Sequence, residues 1–279
     1  MKIGVFAFMM DENGVLVDVE TFTHFAASLK VDTVEYHLRK GFESHEKPFL
    51  LKLRRLCDSY GLPIGYLGST GGFIGTDGEL RAKIDQVKGD IDVAEVMGVP
   101  ILRLMGGRPG DDDPDPETTW KRTISCFQEV ADYAAIKSVT IGVHNHGPAA
   151  RPMGEDMVRI IRDTGRENVT LIMDTGQWWP DYGTGQGGEF QPNEAIYDYM
   201  EHAVPHASYV RAKFYKIDSG REEYIDYKRV ADILKRNEYD GPVSVVFEGQ
   251  RYSNCTDREA LAMAVEHLRE TMGVPAPTS

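Results

Sequence analysis

The chain contains little cysteine and no excess of positive charge. Its three cysteines, Cys57, Cys126 and Cys255, lie far apart and form no CxxC pair. This argues against a cysteine zinc site or a disulfide framework and favours a reducing, cytoplasmic location. The formal net charge of −13 disfavours nucleic acid and anionic membrane surfaces as partners, because both would repel the chain. A local basic pocket for a small anion remains compatible with this charge.

Long apolar runs and glycine-rich nucleotide motifs are also missing. No run approaches the roughly 18 residues of a membrane span. The apolar start, MKIGVFAFMM, is followed at once by the polar DENG, so we interpret it as a first strand and not a signal peptide. The turn that follows, FMMDENGVLVD, lacks the glycine fingerprint that a doubly wound dinucleotide-binding sheet would need.

Short β-rich runs alternate with longer amphipathic runs along the 279 residues. The candidate strands are residues 3–8, 33–38, 63–68, 100–105, 139–144, 169–174, 208–214 and 243–248. A helical pattern follows each of them, most clearly over residues 116–137, where apolar residues recur every three or four positions. Eight such units predict an α/β fold, a single-domain (β/α)8 TIM barrel over residues 1–272 with a flexible C-terminal tail at 273–279. An open, doubly wound sheet is the alternative.

Polar and ionisable side chains gather toward the carboxyl ends of these strands. Reading each strand with a period of two gives an inward-facing set: Glu35, His37, His144, His146, Asp174, Arg211, Lys213 and Glu248. Strand ends of such a barrel meet at one mouth, where active sites of this fold lie. We therefore predict a single functional site there. A solvated salt-bridge network that caps the barrel is the alternative interpretation.

The imidazoles and carboxylates of this set have the ligand chemistry of a divalent cation such as Mn, Co, Zn, Fe or Mg. We predict a divalent metal ion at this mouth, which is lined by His144, His146, Asp174, Glu248, Glu35 and Lys213. A metal there could polarise a substrate oxygen while a neighbouring side chain moves a proton.

Three segments, VTLIMDTGQW, YVRAKFY and EYDGPVSVVFEG, resemble the last three strands of the xylose isomerase-like TIM barrels, the sugar isomerase/epimerase family. The resemblance is strongest over about residues 139–250. It implies a divalent metal bound by Glu, Asp, His and Glu on strands five to eight. It also implies isomerisation, epimerisation or dehydration of small polyols and keto-sugars by proton transfer next to a carbonyl.

The match to this ligand pattern is incomplete. Asp174 in MDTG agrees with the family aspartate, whereas His144 stands in the place of the strand-five glutamate. The resulting His-x-His is similar to that of inosose dehydratases with the same fold. On strand seven Arg211 replaces the histidine, and on strand eight Val246 replaces the first glutamate while Glu248 is kept.

Two explanations of these departures stay open. Either the metal is displaced toward the mouth and held by His144 or His146 together with Asp174 and Glu248, or the metal is absent. In the second case Arg211 and Lys213 supply the positive charge that a metal would provide. The first explanation is favoured.

These observations predict a metal-dependent isomerase or epimerase that acts on a small sugar, polyol or keto-sugar through an enediolate. Glu248 or Glu35 abstracts the proton, His146 orients or protonates the substrate, and Lys213 stabilises the oxyanion. A dehydratase or lyase acting on a keto-sugar or inosose is one alternative. A non-catalytic sugar-binding or partner subunit is another.

Substrate binding is predicted at four positions: His37, Arg211, Gln177 and Trp178. The last two belong to a glycine-rich segment, residues 175–194, whose length is typical of a lid. Its aromatic residues, which include Trp179, suit the CH-rich faces of a sugar. They suit internal packing or a contact between subunits equally well, which leaves a homo-oligomer open.

Overall fold

Eight parallel strands close into a barrel in the computed structural model, which describes residues 1–70, 72–146, 155–178 and 194–276. The strands follow one another in chain order, and β1 pairs with both β2 and β8. They are β1 Lys2–Phe6, β2 Thr33–His37, β3 Ile64–Gly68, β4 Ile101–Met105, β5 Thr140–His144, β6 Val169–Asp174, β7 Ala207–Phe214 and β8 Pro242–Phe247. The predicted (β/α)8 barrel is confirmed.

A helix follows every strand and covers the outside of the barrel. The helices are α1 Val19–Ser28, α2 Lys47–Ser59, α3 Asp77–Met97, α4 Pro116–Ile136, α5 Glu155–Thr164, α6 Ala195–Ala203, α7 Tyr227–Arg236 and α8 Asp257–Met272. A short 3-10 turn, Val204–His206, joins α6 to β7. None of the helices in the described part of the chain is long and apolar enough to cross a membrane.

The predicted alternation of side chains along the strands is confirmed by two separate apolar clusters. Outward residues such as Val210, Ala212 and Phe214 of β7 pack beneath the helices in the larger cluster. The inward residues form a smaller cluster inside the barrel: Phe6, Tyr66, Ile172, Tyr209 and Val246. Burying each such side chain contributes roughly 1.5–3 kcal/mol, so the barrel supplies a rigid floor for the groups at its mouth.

Two element ends show how local chemistry sets the boundaries. Strand β1 ends at Phe6 and not at residue 8 as predicted, because the Phe8 N–H donates back to the Phe6 carbonyl at 2.8 Å. Helix α8 begins with a capping box in which Thr256 and Glu259 exchange hydrogen bonds, and it ends at Gly273, whose φ of 69° is left-handed. Residues 277–279 of the predicted tail lie outside the described residues.

Candidate active site

Asp174 is fully buried at the end of β6 and forms the centre of the mouth. Its Oδ2 lies 3.0 Å from Nε of Arg211 and 3.3 Å from Nζ of Lys213, while its Oδ1 accepts the Gly176 N–H at 3.0 Å. Burial opposes ionisation, but the attraction of Lys213 and Arg211 outweighs it and holds the pKa of Asp174 well below its usual range. The carboxylate is therefore ionised and shared by two cations.

The protonation of His144 follows from its neighbours. Nη1 of Arg103 lies 2.6 Å from His144 Nδ1, and a guanidinium can only donate. Nδ1 therefore accepts, so the ring proton is on Nε2, which donates to Oδ2 of Asp174 at 3.3 Å. Burial, supported by repulsion from Arg103, lowers the pKa of His144 well below its ordinary value. His144 is a neutral imidazole with both nitrogens engaged.

Arg211 is fixed in place from three sides. Besides its contact with Asp174, its Nη1 donates to the hydroxyl of Tyr66. Its guanidinium carbon lies 4.4 Å from the centre of the Phe6 ring, a cation–π arrangement. Because the side chain is only 4% exposed, these contacts leave it no room to swing away from the carboxylate.

Lys213 and Glu248 connect this buried cluster to solvent. Nζ of Lys213 lies 2.9 Å from Oε1 of Glu248, and the two side chains are 1% and 30% exposed respectively. Burial opposes ionisation of Glu248, but the attraction of Lys213 prevails and lowers the pKa of that carboxyl. Glu248 thus presents an ionised carboxylate to the mouth at neutral pH.

Asn145 joins the ends of β5 and β6. Its Nδ2 donates to the carbonyl oxygens of Asp174 at 2.9 Å and Gln177 at 3.1 Å, and its Oδ1 accepts the Asp174 N–H at 2.6 Å. These bonds orient the residues on either side of it, buried His144 and exposed His146, whose ring centroids are 5.3 Å apart. The sequence motif contains Asn145, but no role was predicted for it.

Sequence reasoning also missed two cations at the mouth. Arg103 extends from β4 and is 3% exposed; burial and repulsion from Arg211 lower its pKa to about 10. Lys40 follows β2, and its Nζ lies 4.3 Å from the centre of the Phe8 ring. An arginine inside the apolar run ILRLM was the available signal for the first, whereas Lys40 lies in a loop that gave none.

The structure places only some of the predicted substrate-binding residues at the mouth. His37 is at the mouth, where burial and repulsion from Arg103 lower its pKa to about 3 and keep it neutral. Trp178 instead packs in the outer core, with its ring 5.9 Å from that of Tyr199. Gln177 is buried, and its Nε2 has no hydrogen-bond partner among the described residues. Residues 179–193 of the predicted lid, which include Trp179, lie outside those residues.

Glu35 is not brought to the mouth. It precedes His37 by two positions on β2, which places it about 6–7 Å deeper in the barrel. Its carboxylate accepts the Thr33 hydroxyl at 2.6 Å and the hydroxyls of Tyr209 and Ser244. Burial outweighs these donors and raises the pKa of Glu35 to about 7.

Replacing Glu35 with Gln should change how stability depends on pH. The folded pKa of about 7 exceeds the ordinary value of 4.5, so the fold favours the protonated form. The stabilisation is complete below about pH 4.5 and is lost as the pH rises through 7. We expect the free energy of unfolding of the wild type, relative to Glu35→Gln, to fall by up to about 3 kcal/mol over that range. Urea titrations at several pH values measure it; parallel curves would contradict the assignment.

The predicted metal ligands do not suit a divalent cation. Both nitrogens of His144 are engaged, and Asp174 already contacts Arg211 and Lys213. A cation would have to displace a locked guanidinium and then lie beside it, which Coulomb repulsion disfavours. Among the described residues no three His, Cys, Asp or Glu side chains form a metal-binding group. The predicted set of His144, Asp174 and Glu248 therefore forms none either.

Loading the protein with Mn²⁺ or Co²⁺ and then desalting it should leave well under one metal ion per chain, because the ligand lone pairs are occupied. Elemental mass spectrometry measures this content. The variant Arg211→His removes the repelling guanidinium, which is one of the two cations that contact Asp174, and adds an imidazole, so it should retain more metal than the wild type. One ion per wild-type chain that resists a chelator would contradict this account of the site.

A barrel whose mouth collects ionisable groups from successive strand ends belongs to the large class of (β/α)8 enzymes. Within that class the chain belongs to the xylose isomerase-like TIM barrel family, whose model matches residues 24–271. The family predicted from the last three strands is thereby confirmed. A search of curated proteins found no match to this chain.

Solved structures with the same fold cover nearly the whole chain at low identity. D-allulose 3-epimerase from Methylomonas sp., solved in complex with D-allulose, is 17% identical with a TM-score of 0.70 and coverage of 97% of each chain. An L-ribulose 3-epimerase is 16% identical with a TM-score of 0.72, covering 98% of this chain and 93% of its own. A family 2 AP endonuclease from Brucella melitensis is 15% identical with a TM-score of 0.68, covering 95% and 98%. At such identities these matches establish the fold.

Proposed function

We propose that this chain is an isomerase or epimerase of a small keto-sugar or related polyol, acting through an enediolate. The observation that carries the proposal is the Lys213–Glu248 pair, a 2.9 Å contact between a buried ammonium and a carboxylate open to the mouth. An ionised carboxylate next to a fixed cation is what proton abstraction beside a carbonyl needs. Membership of the family and its epimerase neighbours support the same chemistry.

Glu248 is the proposed base. Its carboxylate takes the proton from the carbon next to the substrate carbonyl, and the C–H electron pair forms the carbon–carbon double bond of the enediolate. The carbonyl electrons move onto oxygen, where Lys213 stabilises the negative charge. Lys213 is held for this task by Asp174 at 3.3 Å, so little reorganisation is needed during the reaction.

His146 is the proposed second proton carrier. It lies at the exposed rim of the mouth, three strands around the barrel from Glu248. Partial desolvation of its ring, followed by repulsion from Lys213, lowers its pKa to about 4. A neutral imidazole can donate its N–H to the substrate oxygen as a hydrogen bond. It can also pass that proton to another face of the enediolate while its second nitrogen takes one from water, and the proton held by Glu248 then neutralises the hydroxide left behind. Return to the neighbouring carbon gives isomerisation, and return to the opposite face of the same carbon gives epimerisation.

The metal dependence predicted from the family resemblance is not part of this proposal, because the donors of His144 and Asp174 are already engaged. Glu35 has no role in it either, since its carboxylate is enclosed by three hydroxyls below the mouth.

The test is solvent deuterium exchange over a panel of keto-sugars, hydroxyketones and inososes, followed by mass spectrometry and NMR. An isomerase or epimerase incorporates one deuterium into a carbon-bound position and conserves the mass otherwise. A dehydratase, favoured by the adjacent His144 and His146 rings, would instead lose water from the same enolate. Binding with neither exchange nor loss of water would identify a non-catalytic sugar-binding subunit and refute the proposal.

A further inference from the structure

Positive charge dominates the mouth, although the chain as a whole carries a net charge of −13. Two carboxylates at the mouth, Asp174 and Glu248, contact its cations. The cations at the mouth are Lys40, Arg103, Arg211 and Lys213. Asp174 is shared by Arg211 and Lys213, and Glu248 pairs with Lys213, so both carboxylates are committed to the same two cations.

Arg103 is a buried cation that contacts no carboxylate among the described residues. It is 3% exposed, and its Nη1 contacts the neutral Nδ1 of His144 and, at 3.6 Å, the sulfur of Met105. Its Nε has no hydrogen-bond partner in the described part of the chain. A desolvated guanidinium that has no carboxylate in direct contact and lacks a full set of acceptors is costly unless an anion arrives to compensate it.

Lys40 is the second such cation, and it lies at the rim. Its Nζ is placed over the Phe8 ring and makes no ion pair with a carboxylate among the residues described. Partial desolvation lowers the pKa of Lys40, and repulsion from Arg103 adds to this effect against the attraction of Glu248. His37 lies between the two cations: its ring and the guanidinium of Arg103 both lie beside Gly68 of β3, and its carbonyl accepts the Lys40 N–H at 2.8 Å. Arg103 and Lys40 are therefore on the same side of the mouth, with Arg103 buried and Lys40 exposed.

We propose that the substrate is an anionic carbohydrate whose carboxylate or phosphate is bound between Arg103 and Lys40. This inference rests on the proposed function and specifies its substrate class. A guanidinium and an ammonium hold such groups through charge-assisted hydrogen bonds, which strengthen where water is excluded. Neutral His37 and His144 beside Arg103 add no charge of their own. The negative charge that develops on the enediolate is left to Lys213.

Isothermal titration calorimetry with three probes tests the proposal: D-gluconate, D-glucose 6-phosphate, and the neutral polyol D-glucitol. At least one anionic probe should bind about tenfold or more tighter than D-glucitol, and added salt should reduce that preference. The tighter of the two anions tells whether the group is a carboxylate or a phosphate. Equal binding of the neutral polyol, or no binding of either anion, would overturn the proposal.

Variants that each remove one positive charge show which side chains bind the anion. Lys40→Met and Arg103→Met should each weaken binding of the preferred anion about tenfold and leave D-glucitol unaffected, while Arg55→Met on the exposed face of α2 should change neither. If Arg103→Met does not fold, Lys40→Met alone decides, because its side chain is at the surface. An anion preference that survives in every folded variant would place the anion elsewhere.

The outcomes separate this inference from the proposed function. Anion binding at Lys40 and Arg103 with no deuterium exchange on any keto-substrate would refute the isomerase and keep the anion site. Exchange on neutral keto-sugars alone, with no anion preference, would keep the isomerase and refute the anion site.

Discussion

Replacing Glu248 with Gln should lower kcat by about a thousandfold, within the 10²–10⁴ range typical of a lost general base. The amide preserves the size of the side chain but cannot accept the proton from the substrate carbon. KM should change little, because Lys213 and the remaining cations stay in place. The rate of solvent deuterium exchange at saturating substrate measures the loss directly.

Two comparisons make this result specific. Glu266→Gln, an exposed change on α8, should retain full activity, and thermal unfolding should show that Glu248→Gln is folded. Lys213→Met removes the cation that lowers the pKa of Glu248. The acidic limb of its kcat/KM profile should therefore move to higher pH, since the base now protonates more readily. A Glu248→Gln rate within tenfold of wild type would assign the base to another residue.

Asp174→Asn should destabilise the protein by about 3–5 kcal/mol, which is the usual cost of removing one partner from a buried ion pair. The amide cannot neutralise Arg211 and Lys213, and both stay buried when it replaces the carboxylate. For a chain of this size the melting temperature should fall by roughly 10 °C. Differential scanning calorimetry measures the change.

A metal-ligand role for Asp174 makes the opposite prediction. Metal would then raise the melting temperature of the wild type through mass action, and Asp174→Asn would cost little in metal-free protein. In our account the loss is the same with and without a chelator, and the second change Arg211→Met recovers part of it by removing one stranded cation. Asp112→Asn, in an exposed loop, supplies the control.

The fold could be predicted from the sequence because strand alternation is a local property. The residues of β7 alternate between the outer apolar cluster and the inward-facing Arg211 and Lys213, and that pattern depends on no distant contact. The end of β1 was misplaced by two residues, because the bond from Phe8 back to Phe6 has no signature in apolar side chains. Boundaries of this kind depend on individual hydrogen bonds.

The site was only partly predictable, since depth along a strand and engagement by neighbours are three-dimensional properties. Periodicity placed Glu35 and His37 on one face but could not reveal that Glu35 is enclosed by three hydroxyls. His144 was predicted as a metal ligand from its residue type. The guanidinium of Arg103, which occupies its Nδ1, comes from a strand 41 residues earlier in the chain.

Pairing of β8 with β1 makes activity depend on closure of the barrel. Phe6, which supports Arg211 from below, comes from the first strand, whereas Glu248 follows the last one. A chain that has assembled only its first seven strands therefore contains the buried cations and Asp174 but lacks Glu248, the second carboxylate in contact with Lys213. This closure joins the two ends of the chain, and contacts of such long range are intrinsically slow to form. A chain whose barrel has not closed is thus expected to be inactive, and the quantity of active protein should equal the quantity of closed barrels.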